Sequence, residues 1–243
     1  MRVERKRVLA MAVIVILAVF IIFAVYSSLR HASSPIPLTE AGYVSLPPPD
    51  TVGSMSVEEA ISKRRSIRNY ADEPLTVHHL SQLLWSAQGI TDPGQGLRAA
   101  PSAGATYPLE VYIVVGLGGV EGLDPGVYRY DPRRHCLTLI AQGDLRENLS
   151  NAALNQKWIA EAPVDLVIAA EYERTTGRYG DRGVRYVHME AGHVAENIYL
   201  QATALRLGVV TVGAFDDEAV QRLLSLPSSH KPLYIIPVGH PRL

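Results

Sequence analysis

One cysteine, Cys136, stands in 243 residues, so no disulfide forms within the chain and the fold rests on its core. A lone thiol of this kind is expected as a packed strand residue, because free cysteine behaves as a small hydrophobe. Surplus charge is also missing: 23 Lys and Arg against 24 Asp and Glu leave a net charge of −1. A chain without a basic excess argues against a nucleic-acid partner. A dinucleotide fingerprint is absent too, since Gly116–Gly119 reads G-L-G-G without the G-x-G-x-x-G spacing or a following helix. Metal ligation is poorly supplied. Glu190 and His193 stand three apart, with His188 and Glu196 nearby, but a carboxylate-bridged site needs a second Glu-x-x-His, and none exists. These residues are expected on the solvated or interface face of an amphipathic helix, and no metal site is expected. Repeats and low-complexity tracts are lacking as well.

Apolar residues, by contrast, are plentiful at 47%, and many are concentrated in one place. Val8 to Val25 is apolar without a break, and no charge falls between Val8 and Leu29. A run of that length suffices to span a bilayer as a helix. The competing reading, a cleaved signal peptide, calls for an apolar region of roughly 7–15 residues and a small-residue cleavage site. The run is longer, and "YSSLRHASS" offers no such site. Arg2, Arg5, Lys6 and Arg7 precede the run and Arg30 follows it. The positive-inside rule therefore sends the rest of the chain to the extracytoplasmic side of a cell membrane. The expected organisation is a basic cytoplasmic N-terminus at 1–7, a transmembrane anchor at 8–26, a Pro-rich tether at 27–53 and a domain at 54–243.

Within the domain, Ser56 and Glu59 predict a capping box that opens a short helix. Thr76 and Gly89 bracket a second helix at Val77–Gln88. Strand patterns lie at Glu110–Gly116, then at Gly126–Tyr130 and His135–Ile140 around a "DPRR" hairpin, and at Val164–Glu171. Asp144 and Glu147 are expected to cap a further helix. A long amphipathic helix spans about Val184 to Leu207, with Val187, Ala191, Val194, Ile198 and Ala202 on one stripe and Gly208 as the stop. A strand at Val209–Val212, a helix from Asp217 to Leu226 with Asp216 as cap, and a strand at Leu233–Val238 complete it. This mixture predicts an α+β fold.

Three stretches carry the chemistry. "RRSIRNY", Arg64 to Tyr70, packs three arginines and a serine into five positions. Guanidinium forks suit phosphate, and a hydroxyl completes the oxygen shell. "RAAPSAGATYPLEVYIVV", Arg98 to Val115, holds a run of small residues before a strand, which lets backbone approach a flat ligand. "TVGAFDD", Thr211 to Asp217, is a strand-to-helix junction whose N–H groups face outward to any acceptor. Taken singly, each stretch also reads as an ordinary turn or surface.

Together, in this order, and with "GLDPGVYRYDPRRHCLTLI" and "RYGDRGVRYVHMEAGHVAENIYLQATALRLG", the stretches resemble the FMN-dependent nitroreductase superfamily. The resemblance is closest to its SagB/ThcOx-type branch of azoline-oxidising flavoenzymes and covers about Ser56 to Gly239. It implies a nitroreductase-like fold, with a mixed central sheet flanked by helices and an obligate-type homodimer. The family's R-x-S-x-(K/R) motif falls on Arg64, Arg65, Ser66 and Arg68. By that resemblance Arg64 and Ser66 hold the FMN phosphate, and Arg65 approaches the phosphate or ribityl chain. Arg68 sits by N1 and the C2 carbonyl, where reduction places negative charge. Pro101, Ser102, Ala103, Gly104 and Ala105 match the loop that contacts flavin from the partner subunit. Gly213 and Ala214 match the segment facing N5.

The sequence departs from the family in three places. Ala105 stands where many nitroreductases carry Asn. The family's basic phosphate clamp after the last strand is matched only by His240 and Arg242. Arg178-Tyr179 stands where azoline oxidases carry Lys-Tyr; arginine holds its proton, so Tyr179 is left as the acid or base. The reading is a membrane-tethered FMN oxidoreductase that transfers hydride at N5. NAD(P)H or an organic substrate would donate, and an azoline, nitro or quinone-type small molecule is the redox substrate. A non-catalytic flavin-binding or interaction domain that retains the fold is the alternative.

Overall fold

The computed structural model describes residues 42–242. The basic N-terminus, the expected span at 8–26 and the first part of the tether lie outside them. Among the described residues no helix is long and apolar enough to cross a membrane.

The chain runs β1 (Tyr43–Ser45), α1 (Val57–Lys63), α2 (Val77–Gln88) and a small hairpin of β2 (Ile90–Asp92) and β3 (Leu97–Arg98). Next come β4 (Leu109–Val115), β5 (Gly126–Asp131), β6 (Cys136–Gln142), α3 (Arg146–Ala152), α4 (Lys157–Glu161) and β7 (Val164–Glu171). The remainder is α5 (Glu173–Tyr179), α6 (Arg182–Ala204), β8 (Gly208–Val209), α7 (Asp217–Leu223) and β9 (His230–Gly239). Seven strands form one sheet in the order β1-β6-β5-β4-β7-β9-β8. Its ladders are antiparallel, and isolated parallel bridges outside them join Ser66 to Val209 and Leu75 to Val120.

β4 and β7 lie at the centre and pair along their length, with Ile113 opposite Leu166. Both are buried throughout except Glu171, as expected of strands covered on two faces. One face packs against α2 and α6 through Leu80, Leu84, Val187, Val194 and Ile198. The other packs against α3, α4 and α7 through Leu149, Ile159 and Val220. Asp165 in β7 is fully buried on the sheet, and burial pushes its pKa well above the ordinary carboxylate value. Cys136 is buried in β6.

Ser56 caps α1 by accepting the Glu59 N–H, while the Glu59 carboxylate turns to Lys63 instead of closing the box. α2 has the predicted bounds, with Thr76 as N-cap and Gly89 as C-cap. Leu145 takes the N-cap position of α3 without a side-chain bond, but the Asp144 carboxylate accepts the first helical N–H, that of Arg146, at 3.2 Å, together with Leu117 N–H and the Arg146 guanidinium. α6 begins two residues earlier than expected and ends at Ala204. Arg206, not a glycine, takes the left-handed turn at φ 60°, and Leu207 N–H returns to the Ala202 carbonyl.

Part of the stretch read as a tether belongs to the sheet. Tyr43–Ser45 pairs with Cys136–Thr138, and Val44 and Leu46 are 2% and 8% exposed. Pro47 carbonyl accepts the Ser81 hydroxyl at 2.6 Å, and Gln82 bonds the Asp50 backbone on both sides. Two apolar side chains and an edge strand explain why this segment docks despite its prolines. A fragment starting at 54 should therefore be less stable than one starting at 42 by about 3–6 kcal/mol, from loss of two buried side chains. Urea denaturation of both fragments measures this; equal stability would contradict the docking.

Candidate functional site

Arg64 ends α1, and the chain then runs extended beside β8, with Ile67 N–H on the Val209 carbonyl at 2.9 Å. The approach needs a glycine opposite: a Cβ on Gly208 would stand 2.7 Å from Ile67 Cγ2. Tyr70, 1% exposed, anchors the far end, its hydroxyl shared between the carbonyls of Ile67 and Pro237 at 2.8 and 3.2 Å. Apolar anchors thus point inward while Arg65, Ser66 and Arg68 remain exposed.

The arginines rest on neutral groups. Arg64 lies 5.1 Å over the Tyr199 ring and Arg68 lies 5.7 Å over Trp158. Arg65 folds onto the carbonyls of Ser62 and Arg64. No carboxylate pairs with any of the three among the described residues; every ion pair lies elsewhere.

Tyr199 of α6, which sequence reasoning missed, joins this segment to the third predicted stretch. Its hydroxyl stands 3.0 Å from Ser66 Oγ and accepts the Thr211 N–H at 3.0 Å. Burial opposes its ionisation, but the bonds from Ser66 and Thr211, with Arg64 nearby, bring its pKa below the ordinary phenol value. Two residues on, Gly213 and Ala214 are exposed, and their N–H groups have no acceptor among the described residues. The Ala214 carbonyl is held by Gln156. Guanidinium, hydroxyl and free N–H donors therefore lie on neighbouring segments with no carboxylate paired to the guanidinium groups among the described residues.

A second set surrounds the small-residue loop. Pro101 leads into a single turn at Ala103–Ala105, where Gly104, Ala105 and Tyr107 take φ values of 60°, 53° and 46°. Ser102 Oγ accepts the Tyr107 N–H at 2.9 Å. Arg178 donates to the Gly104 carbonyl at 3.0 Å, and a Cβ on Gly104 would stand 2.5 Å from the Tyr179 hydroxyl. Tyr179 packs edge-on to Tyr186 at 5.2 Å. Arg178 and Tyr179 thus sit against the loop of their own chain. At the C-terminal end, Arg242 N–H bonds the Asn69 carbonyl and the His240 carbonyl accepts Ala71 N–H. The His240 ring faces His79 and Glu73, not Ser66.

Glu190 lies in α6 and is 2% exposed, whereas His188, His193 and Glu196 are exposed. The expectation of a solvated face fails for Glu190, which turns into the core. Its Oε1 and the Gln88 amide nitrogen lack partners. Burial raises the Glu190 pKa to about 7, against the pull of Ser102, Gln88 and Arg98 toward the charged form.

The profile of the nitroreductase family matches residues 61–240. With this fold and donor set, the chain is a flavin-type oxidoreductase. It belongs to the nitroreductase family. The protein MJ1384 of Methanocaldococcus jannaschii, described as a nitroreductase, is 50% identical over 188 residues, 77% of this chain and 92% of that one. The likeness to the SagB/ThcOx-type branch holds. The microcin B17-processing protein McbC of Escherichia coli is 28% identical over 65% of this chain, which spans 60% of McbC. The FMN reductase [NAD(P)H] of Bacillus subtilis is 24% identical over 76% of this chain and 66% of its own. A crystal structure of a Ralstonia eutropha JMP134 protein described as a nitroreductase superposes with a TM-score of 0.72 and 30% identity. The superposition covers 87% of this chain and 95% of that one.

Because the folded pKa of Glu190 is raised, the native state binds more protons than the unfolded chain between roughly pH 4.5 and 7. Its contribution to stability is greatest below that window and falls as pH rises through it. The loss by pH 8 is on the order of 3 kcal/mol. Glu190→Gln should remove this fall, gaining on the wild type more at about pH 8 than at about pH 5. Denaturant titrations at both values test it, and parallel pH profiles would contradict it.

Proposed function

We propose that the chain is a membrane-tethered, homodimeric oxidoreductase with FMN as its cofactor. The observation that carries this reading is the donor set: Arg64, Arg65 and Arg68 without a carboxylate, beside Ser66 and the unpaired N–H groups of Gly213 and Ala214. A phosphate ester attached to a flat ring system with acceptor edges fits such a set. The FMN reductase among the relatives supports the choice of flavin.

Arg64 and Ser66 would grip the phosphate, and Arg65 would swing from its backbone carbonyls to the phosphate or ribityl chain. Arg68, stacked on Trp158, would hold a fixed positive charge near N1 and the C2 carbonyl. Gly213 and Ala214 would present N–H groups to the N5 edge. Bound FMN supplies two-electron hydride chemistry at N5. Arg242 would close the phosphate side as far as its backbone bond to Asn69 allows, whereas the His240 ring, turned to His79 and Glu73, would not.

Proton handling falls to Tyr179. Arg178 is bound to the Gly104 carbonyl, so it orients the loop. That assignment leaves nitro- and quinone-type acceptors at least as well served as azolines, with NAD(P)H as a donor. The apolar run at 8–26 and its preceding basic residues support a single-pass anchor in the cell membrane with the domain outside. The 27–53 stretch would act as tether up to the docked strand β1.

The loop at Pro101–Ala105, with Arg178 and Tyr179 on it, would serve the partner subunit's flavin. Arg64→Ala should weaken FMN binding about 10- to 150-fold, the cost of one charged hydrogen-bonded contact. Ala103→Trp, by overpacking, should weaken it roughly 5- to 100-fold. Mixing the two variants should then restore about one full-affinity FMN per heterodimer, since both lesions fall on one site. Absence of any full-affinity site would overturn the shared-site arrangement, and an unaltered affinity in Arg64→Ala would overturn the phosphate assignment.

A further inference from the structure

A cavity of about 760 Å³ opens between the β2–β3 hairpin, the β5–β6 turn and the chain leaving β1. Its walls are the aromatic rings of Trp85 and Tyr107, the aliphatic side chains of Leu46 and Ile90, and four prolines. Two guanidinium groups line it, Arg98 inside and Arg133 at the exposed rim, and no acidic side chain does. The volume falls within the range of small-molecule sites.

Arg98 is the unusual feature. Its guanidinium donates to Gln88 Oε1 at 2.8 Å and lies 4.5 Å over the Tyr107 ring. Both partners are neutral, and Arg98 forms no ion pair among the described residues. Glu110, whose field reaches Arg98, is engaged by Arg129 and Arg174 at 2.9 and 2.7 Å. Glu190, the other carboxyl in reach, is buried and loses its charge readily. Arg133 has no carboxylate partner either; Asp131 pairs with Arg134. His135 in the wall is occupied by Ser81, Tyr130 and the Pro47 carbonyl, and burial lowers its pKa, so it adds no charge near neutral pH. A half-buried cation without a counterion carries a desolvation cost that an incoming anion offsets.

We propose that this cavity binds a flat, apolar carboxylate, its ring system against Trp85 and Tyr107 and its carboxylate on Arg98. Guanidinium matches a carboxylate through two parallel bonds, and the aromatic walls favour a planar hydrocarbon body. A doubly charged phosphate ester is the poorer fit, because Arg98 is the sole inner cation. None of the lining residues belongs to the Arg64–Arg68 or Gly213–Ala214 segments, so the site is separate from the proposed flavin contacts.

The test uses the full chain, saturated with FMN, and calorimetric titration with 2-naphthoate and its uncharged analogue 2-naphthylmethanol. Naphthoate should bind at one site per chain, at least about tenfold tighter than the alcohol, as loss of a charged hydrogen bond predicts. Arg98→Met should weaken naphthoate about 10- to 100-fold and abolish the preference. Arg133→Gln at the rim should weaken it only a few-fold. Equal binding of acid and alcohol, no binding of naphthoate, or a preference that survives in Arg98→Met would overturn the proposal. If Arg98→Met fails to fold, the acid-to-alcohol comparison on the unaltered chain decides alone. Repeating the titration without added FMN keeps this result independent of the flavin reading.

Discussion

The Tyr199 hydroxyl stands 3.0 Å from Ser66 Oγ and accepts the Thr211 N–H at 3.0 Å, so two segments far apart in sequence are fixed to one point on α6. That helix is held in turn by Val187, Val194 and Ile198 against the sheet. Its first half carries Tyr186, against which Tyr179 packs, and Glu190, beneath the small-residue loop. Both sets of candidate residues thus take their positions from one rigid element, and a shift of α6 along the sheet would move them together.

The site stores unfavourable electrostatics on a firm support. Three arginines within five positions repel one another, and no carboxylate among the described residues relieves them. What holds them in place is apolar and backbone structure: Ile67 against Gly208, Tyr70 in the core, and the Ile67–Val209 hydrogen bond. Such an arrangement is stable as a scaffold and incomplete as a charge distribution. An anion would complete it, and the surrounding fold has only to hold the donors still. Glu110, by contrast, is satisfied by two arginines.

Legibility in the sequence followed the locality of the physics. α2 and β7 were readable to the residue, because Thr76 and Gly89 bracket one, and Pro163 precedes an apolar run broken only by Asp165 in the other. The short helices α3, α4 and α5 were poorly marked, since five to seven residues carry little periodicity. Asp144 looked like the N-cap and accepts the first helical N–H, but Leu145 holds the cap position. β1 hid inside a Pro-rich stretch because its three residues acquire meaning only beside β6. The basic cluster and the small-residue loop were visible as motifs. Tyr199 was not, because a tyrosine on an apolar helix stripe reads as core. Glu190 read as solvated because it is charged, although it stands three residues after Val187 and four before Val194 on the buried stripe.

The central claim is that the guanidinium cluster around Ser66 exists to hold a phosphate. Titrating the flavin-free protein with FMN and with riboflavin tests it most directly, since the two ligands differ only by that group. The account predicts FMN to bind tighter by about 10- to 150-fold, the worth of a charged hydrogen-bonded contact, with the difference shrinking as salt screens it. Equal affinities for the two flavins would contradict it.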